Sequence, residues 1–183
     1  QNKRLPVYVA LLITTTLGFM SHHETQYWGN YRTLFARAVE LDPGNWTMHY
    51  RYGWALSQDL MLAEAAVQYR AAINSNARVA ALHRDLGRAM AGLKNWDEAE
   101  ASLRNALNLN PDLPQTKDAL ASVLQERALA RLRTMSDLTT LNYALPLLKE
   151  AAALAPTDHA IETNLKQAAA LLNATRSTQA TAQ

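Results

Sequence analysis

The histidines are the first residues of this chain that could hold a metal or move a proton. His22 and His23 are adjacent, so on a helix they would point about 100° apart and could not clamp one metal as a pair four residues apart does. His49 and His83 are widely separated in the chain, with no Asp, Glu or Cys recurring beside them at ligand spacing. We therefore expect packing or spacer roles for these side chains and no metal site.

The remaining polar residues show no catalytic motif either. The chain contains none of the patterns GxSxG, HExxH, GxxxxGKS, GxxxxGKT and GxGxxG. Asp97, Glu98 and Glu100 fall at the start of a predicted helix, where the helix dipole favours negative charge. The lack of cysteine excludes disulfides and thiol catalysis. The sequence predicts a protein without enzymatic activity or cofactor, and the alternative is an active site assembled from residues far apart in the chain.

The composition is typical of a folded, helical protein. The 183 residues are 49% hydrophobic and 19% charged, which is too apolar for a disordered chain, and this length allows one domain or two small ones. The chain has 18 Lys+Arg against 16 Asp+Glu, and the basic residues from Arg32 to Arg176 are scattered singly, so no nucleic-acid partner is expected. Long blocks of Ala and Leu, with only 6 glycines and 2 phenylalanines, favour helix over strand.

Residue types recur along the chain with a period of 34. Gly53 and Gly87 are one period apart, and Pro43 and Pro111 are two periods apart. A fixed period of this length indicates stacked supersecondary units. We interpret each unit as a pair of helices, with Trp46–Gln58 and Val79–Gly92 as first helices and Leu62–Ser75 and Trp96–Leu109 as second helices.

Small residues occupy the positions where paired helices must approach each other closely. Gly53 and Gly87 fall on the first helices, and a larger side chain there would push the pair apart. The second helices carry alanines in the same phase. The alanines that we predict at close helix contacts are Ala38, Ala65, Ala72, Ala99, Ala106, Ala144 and Ala151.

These recurring residues resemble the tetratricopeptide repeat, a helical hairpin whose length equals the period found here. The positions that carry the resemblance are Tyr52-Gly53, Glu64-Ala65, Tyr69 and Ala72 in one unit and Leu86-Gly87, Trp96, Glu98-Ala99, Ala106 and Pro111 in the next. The resemblance implies an all-α fold, a right-handed α-solenoid of tetratricopeptide-repeat hairpins, with repeats at 46–79 and 80–113.

The ends of the repeat region, residues 24–156, depart from the regular unit. Residues 28–45 offer only a second helix, Trp28–Leu41, and therefore a half repeat. The interval from Ala106 to Ala151 is one period plus about three helical turns. This predicts an extended repeat at 114–156, with helices Gln115–Arg133 and Leu138–Leu154 and a shifted boundary or kink at Pro146. A capping helix is expected at 157–173 and a flexible tail at 174–183.

Residues 1–23 form a separate apolar segment. Lys3 and Arg4 precede the 19 residues of Leu5–His23, which carry no acidic or strongly basic side chain. As a helix this segment would span about 28 Å, close to the roughly 30 Å of a hydrocarbon core. Residues 1–23 are thus predicted to anchor the chain in a membrane, with the repeats on the extracytoplasmic side. A buried first helix that completes the half repeat and a cleaved signal peptide are the alternatives.

A second, narrower similarity concerns the junction between this segment and the repeats. Tyr27–Ala38 and Pro43–Trp46 are similar to the junction in glycosyltransferase-like polytopic membrane proteins that carry C-terminal tetratricopeptide repeats. The similarity implies the exposed end of such a protein, or a stand-alone relative that kept one membrane helix. No catalytic residue of that family can be placed on this sequence.

The first helices of stacked hairpins are expected to line a concave groove. Tyr and Trp beside Arg is the composition of interface hot spots, which predicts partner binding there; alternatively, these side chains cover neighbouring helices and the arginines form a solvated face. The paired Lys and Asn with which family grooves hold chaperone tails are not found at these positions. The predicted groove residues are Tyr50, Arg51, Trp54 and Gln58, then Arg84, Asp85 and Arg88, then Asp118, Ser122 and Gln125.

The sequence therefore predicts a non-catalytic protein–protein interaction scaffold, tethered to a membrane through residues 5–23, whose groove docks a protein or peptide. One alternative is the C-terminal module of a polytopic membrane glycosyltransferase. The other is a self-assembling structural subunit, a homo-oligomer packed through its apolar N-terminal helix.

Overall fold

The computed structural model describes residues 8, 12–18, 29–134 and 137–181, and these residues form helices and turns without a strand. Residues 12–18 are helical. From residue 31 onward the helices are Tyr31–Leu41 (α1), Trp46–Gln58 (α2), Leu62–Ser75 (α3), Ala80–Gly92 (α4), Trp96–Leu109 (α5), Thr116–Thr134 (α6), Leu138–Leu154 (α7) and His159–Thr181 (α8). Four of these helices, α2, α3, α5 and α7, have the bounds that the sequence predicts.

The turn inside each of the first two hairpins has the same backbone geometry. Leu60 and Lys94, one repeat period apart, adopt the left-handed conformation with φ of 59° and 60°. The amide of Met61 donates to the Leu56 carbonyl at 3.0 Å, which is the closing bond of a Schellman turn. Since the second hairpin closes in the same way, the chain reverses direction identically in consecutive repeats.

The paired helices of these hairpins meet at their glycines. A Cβ atom at Gly53 would lie 3.2 Å from the Ala65 carbonyl oxygen, and one at Gly87 would lie 3.1 Å from the Ala99 carbonyl oxygen. The two backbones therefore approach as closely as the absence of a side chain allows.

Successive hairpins stack into a solenoid, with one large hydrophobic cluster across the repeats and a smaller one at Ala128, Ala144, Leu148 and Ala168. α3 packs on α4, α5 on α6 and α7 on α8, while the first helices α2, α4 and α6 adjoin each other. The alanines at the helix contacts are fully buried because a neighbouring helix covers each of them. Those with 0% exposure are Ala65, Ala72, Ala99, Ala106, Ala144 and Ala151.

The half repeat is less well packed than the repeats that follow it. α1 packs against α2, and none of its residues is buried. Ala38 is only half-buried, although Ala72 and Ala106 occupy the same phase of the repeat. Within the described ranges no first helix covers the other side of α1, which explains the difference. Trp28, where this helix was expected to begin, lies outside the described residues.

The extended repeat is built from longer helices. α6 has 19 residues and α7 has 17, against 13 for α2 and 14 for α3. α7 runs through Pro146 from a start at Leu138, so the shifted boundary expected at this proline is not found. The side chain of Asp137 caps α7 by accepting the Thr140 amide at 2.8 Å, and this cap sets the helix start.

The C-terminal helix extends beyond its predicted end. The capping helix was expected to stop at Asn173 and residues 174–183 to be flexible, but α8 continues to Thr181. No glycine or proline follows Asn173 to stop the helix. The Thr175 and Thr178 hydroxyls donate to carbonyls one turn earlier, at 2.8 and 2.9 Å. Residues 174–181 are therefore helical where a flexible tail was predicted, while 182–183 lie outside the described residues.

The apolar N-terminal segment is described only in part. Of residues 1–23, the structure describes residue 8 and residues 12–18. Leu12, Ile13 and Leu17 are 66%, 51% and 59% exposed, so the described part does not form a buried first helix. Across the part of the chain that the structure describes, no helix combines the length and the apolar character needed to cross a membrane.

Candidate binding groove

Three pockets follow one another along the first helices, and together we call them the groove. The aromatic cleft, between α1 and α2, has a volume of about 580 Å³. The central pocket, between α2 and α4, encloses about 390 Å³, and the third pocket, between α4 and α6, about 310 Å³. The groove thus runs from the half repeat across two full hairpins to the first helix of the extended repeat.

The aromatic cleft is formed where the half repeat meets the first full repeat. Tyr31 and Phe35 of α1 stack with their ring centroids 6.3 Å apart, and the rings of Tyr31 and Trp54 form a T-shaped contact with centroids 6.4 Å apart. Tyr31 is 67% exposed and Trp54 is 44% exposed, so both aromatic surfaces are open to a partner. The remaining lining residues are Trp46, Thr47, Tyr50, Arg51 and Val79.

The central pocket has a polar wall that is held together by internal hydrogen bonds. The Tyr50 hydroxyl donates to Asp85 Oδ2 at 2.9 Å, and Arg84 Nε donates to Asp85 Oδ1 at 2.8 Å. Burial, together with the negative charge of Asp85 and this hydrogen bond, raises the pKa of the Tyr50 hydroxyl. The hydrogen bond with Asp85 likewise raises the pKa of Arg84. The carboxylate therefore serves to position the two groove side chains.

The third pocket continues the groove toward the extended repeat. Arg88 borders it as well as the central pocket, and Ser122 borders it from α6. The Ser122 hydroxyl donates to the Asp118 carbonyl at 2.9 Å within its own helix. Trp96 and Glu126 add an aromatic and an acidic group to the lining.

The structure brings most of the predicted groove residues together. Asp118 and Gln125 line none of the three pockets. The sequence analysis did not predict the contributions of α1 and of the second helices, which include Tyr31, Phe35, Leu62 and Tyr69. The aromatic residues at 31 and 35 of the half repeat could have indicated the aromatic cleft. The predicted residues that do line the groove are Tyr50, Arg51, Trp54, Gln58, Arg84, Asp85, Arg88 and Ser122.

His49 and His83 line none of the three pockets and make structural contacts instead. His49 is buried, and its Nε2 donates to the Pro43 carbonyl at 2.9 Å; His83 makes the same contact with the Ala77 carbonyl at 2.8 Å. His22 and His23 lie outside the described residues. Among the residues whose structure is described, no group of three His, Asp or Glu side chains is arranged to hold a metal.

The acidic residues of α5 form ion pairs with neighbouring helices. Glu98 binds Arg70 of α3 through both oxygens, at 2.7 and 2.8 Å from Nη2. Arg127 of α6 pairs with Asp97 at 2.8 Å and also with Glu100. These pairs tie consecutive hairpins together, and they account for the cluster of carboxylates at the start of the helix.

Comparison with known proteins identifies the repeat unit. Residues 80–113 match the tetratricopeptide repeat. This range is the second predicted repeat, α4 and α5, and it contributes Arg84, Asp85 and Arg88 to the groove. The predicted fold class, an all-α solenoid of helical hairpins, is confirmed.

Solved structures of MamA have a similar fold. One crystal structure of MamA protein superposes with a TM-score of 0.57 at 14% identity, over 91% of this chain and 86% of that one. Another MamA structure gives 0.54 at 13% identity, over 88% and 94%. MamA MSR-1 gives 0.52 at 23% identity over 67% of this chain, a match that spans 64% of that protein's length. At these identities the likeness concerns the fold alone. The sequence matches no curated protein.

Proposed function

We propose that this chain is a non-catalytic protein–protein interaction scaffold that binds a protein or peptide segment along the groove. The observation that carries the proposal is the position of Tyr50 and Trp54, which line both the aromatic cleft and the central pocket. Trp54 keeps 44% of its surface exposed although a large indole is costly to leave in water. Exposed Trp and Tyr beside Arg supply most of the binding energy in protein interfaces.

The shape and charge of the groove favour an extended segment over a compact small molecule. Its pockets are open and lie in a row on consecutive helices. Arg51 is exposed in the aromatic cleft, and Arg88 is exposed between the central and third pockets. A segment carrying acidic residues would complement these charges. The groove does not repeat the Lys and Asn clamp that holds chaperone tails, so we do not propose that ligand.

Selection from a random peptide display library with the whole chain tests this proposal. Peptides that the groove binds should be enriched by the native chain and lost with Trp54→Ala. Val67→Ala is the matched control, because Val67 is 56% exposed on α3 and lines no pocket of the groove. Enrichment that persists in Trp54→Ala, or the same loss in both variants, would refute groove binding.

A second candidate concerns how the scaffold is held in place. Tyr8, Leu12, Ile13 and Leu17 are each more than half exposed, and an exposed apolar helix favours attachment to a lipid surface or to another copy. We propose a membrane tether through residues 5–23, with the repeats on the extracytoplasmic side.

Flotation of the chain with phosphatidylcholine vesicles tests this tether. Flotation that is lost in Leu12→Asp/Leu17→Asp would support it. Sedimentation as an oligomer in plain buffer without flotation would favour the self-assembling subunit. The C-terminal module of a membrane glycosyltransferase stays a prediction from the sequence.

A further inference from the structure

Two neighbouring pockets of the groove differ in chemistry. The aromatic cleft is lined by five aromatic residues, with Arg51 as its charged member. The central pocket contains two arginines and one aspartate among its lining residues. Tyr50 and Trp54 are shared by both pockets, so a single segment lying across α2 would contact both environments. An apolar side chain suits the first pocket and a polar one the second.

The net charge of the central pocket comes from Arg88. Asp85 is already neutralised by Arg84, at 2.8 and 3.1 Å, and accepts the Tyr50 hydroxyl as well. Arg88 instead donates to the neutral amide of Gln115 at 3.3 Å, and no described carboxylate forms a salt bridge with it. A carboxylate on the bound segment would form a salt bridge with Arg88. Asp85 would repel that carboxylate only weakly, because Arg84 compensates the charge of Asp85.

The distance between the two pockets sets the spacing of the two recognised groups. The aromatic cleft lies between α1 and α2 and the central pocket between α2 and α4, and packed neighbouring helices have axes about 8–10 Å apart. An extended chain advances roughly 3.3 Å per residue, so about three residues cover this distance. We infer that the groove recognises a peptide segment in which a large apolar side chain and a carboxylate lie about three positions apart, at i and i+3. This inference rests on the proposed function and specifies its ligand.

Synthetic peptides with a Gly/Ser frame test the spacing. Each 12-residue peptide, blocked at both ends, carries one Trp and one Asp separated by one to six positions, and binding to the whole chain is measured by isothermal titration calorimetry. We expect the tightest binding at a separation near three, about tenfold tighter than the same peptide with Asn in place of Asp. Arg88→Gln should remove this advantage and leave the weaker Trp-dependent binding. Arg78→Gln, an exposed cation that lines no pocket of the groove, should retain it.

The results separate this inference from the proposed function. If affinity depends on Trp54 but not on the position or presence of the Asp, the two-point motif is wrong while groove binding stands. If Arg88→Gln keeps the full advantage of the Asp, the assignment of the carboxylate to Arg88 is wrong. If no peptide binds at millimolar concentration, or Trp54→Ala changes nothing, both the motif and the groove are refuted.

Discussion

Gly53 of α2 lies directly against the ring of Tyr69 of α3. A Cβ atom at Gly53 would be 2.8 Å from two carbons of that ring, and one repeat period later a Cβ at Gly87 would be 2.7 Å from Leu103 Cγ. Tyr69 is 2% exposed and Leu103 is 0% exposed, so neither can move aside into solvent. The same close approach is therefore built twice, with an aromatic partner in one repeat and an aliphatic partner in the next.

Gly53→Ala should destabilise the chain despite placing a better helix former on α2. Alanine gains up to about 1 kcal/mol in helix propensity, but overpacking a core contact costs about 1–3 kcal/mol. We expect a net loss of roughly 1–2 kcal/mol in the free energy of unfolding, measured by urea denaturation. Gly44→Ala is the control, since its nearest neighbour would be 3.8 Å away. Equal free energies of unfolding for Gly53→Ala and Gly44→Ala would contradict the close contact between Gly53 and Tyr69.

Leu60→Gly should have the opposite effect on stability. Leu60 has φ of 59° and is 81% exposed, so it adopts a left-handed conformation without burying its side chain. Glycine adopts this conformation without strain, and we expect a gain of about 0.5–1 kcal/mol in unfolding free energy. The same substitution at Leu41, 70% exposed at the end of α1, should instead lose about 1 kcal/mol. Destabilisation at both sites would argue against the strained turn.

Trp54→Ala should separate binding from folding. Its ring is 44% exposed and contacts the Tyr31 ring edge to face, so circular dichroism and the thermal midpoint should change little. Affinity for a peptide selected on the groove should fall by more than about 1 kcal/mol, the usual threshold for an interface anchor. A large loss of stability with unchanged affinity would instead assign this indole to covering neighbouring helices.

Tyr69 should make the chain sensitive to alkaline pH. Burial raises the pKa of Tyr69 to about 12, above the value of about 10 in the unfolded chain. The Tyr69 hydroxyl therefore holds its proton more tightly in the folded state than in the unfolded state. Its contribution to the free energy of unfolding is complete below about pH 10 and is lost as the pH rises from about 10 to 12. Unfolding by urea between pH 8 and 12 should show a steeper alkaline decline for the native chain than for Tyr69→Phe. Tyr31→Phe, at a 67% exposed position, should keep the native decline.

The repeat period was enough to predict the helices but not the full shape of the groove. Because the small residues recur in phase, α2, α3 and α5 could be placed to the residue. The aromatic cleft was not predicted because the groove was expected on first helices alone, whereas α1 is a second helix. The pairing of Asp85 with Tyr50 of the preceding hairpin depends on how two hairpins stack, and the sequence of one hairpin does not contain it.

The C-terminal end shows a different limit of sequence reasoning. A stretch rich in Thr, Ala and Gln suggested a flexible tail, because such residues have little apolar surface to bury. Leu172, which precedes it, is 6% exposed, and a helix that is anchored at one end propagates at little further cost. Composition alone therefore underestimated how far α8 extends.

The hydrogen bonds of His49 and His83 do not depend on the identity of the residue that accepts them. His49 holds the connector before α2 through the main-chain oxygen of Pro43, and His83 holds the next connector through that of Ala77. Every amino acid carries this oxygen, so the proline of one connector is replaced by alanine in the other without loss of the bond. The imidazole, in contrast, is a side-chain donor that most other residues cannot replace. We therefore expect the connector residues to differ between repeats more readily than His49 and His83.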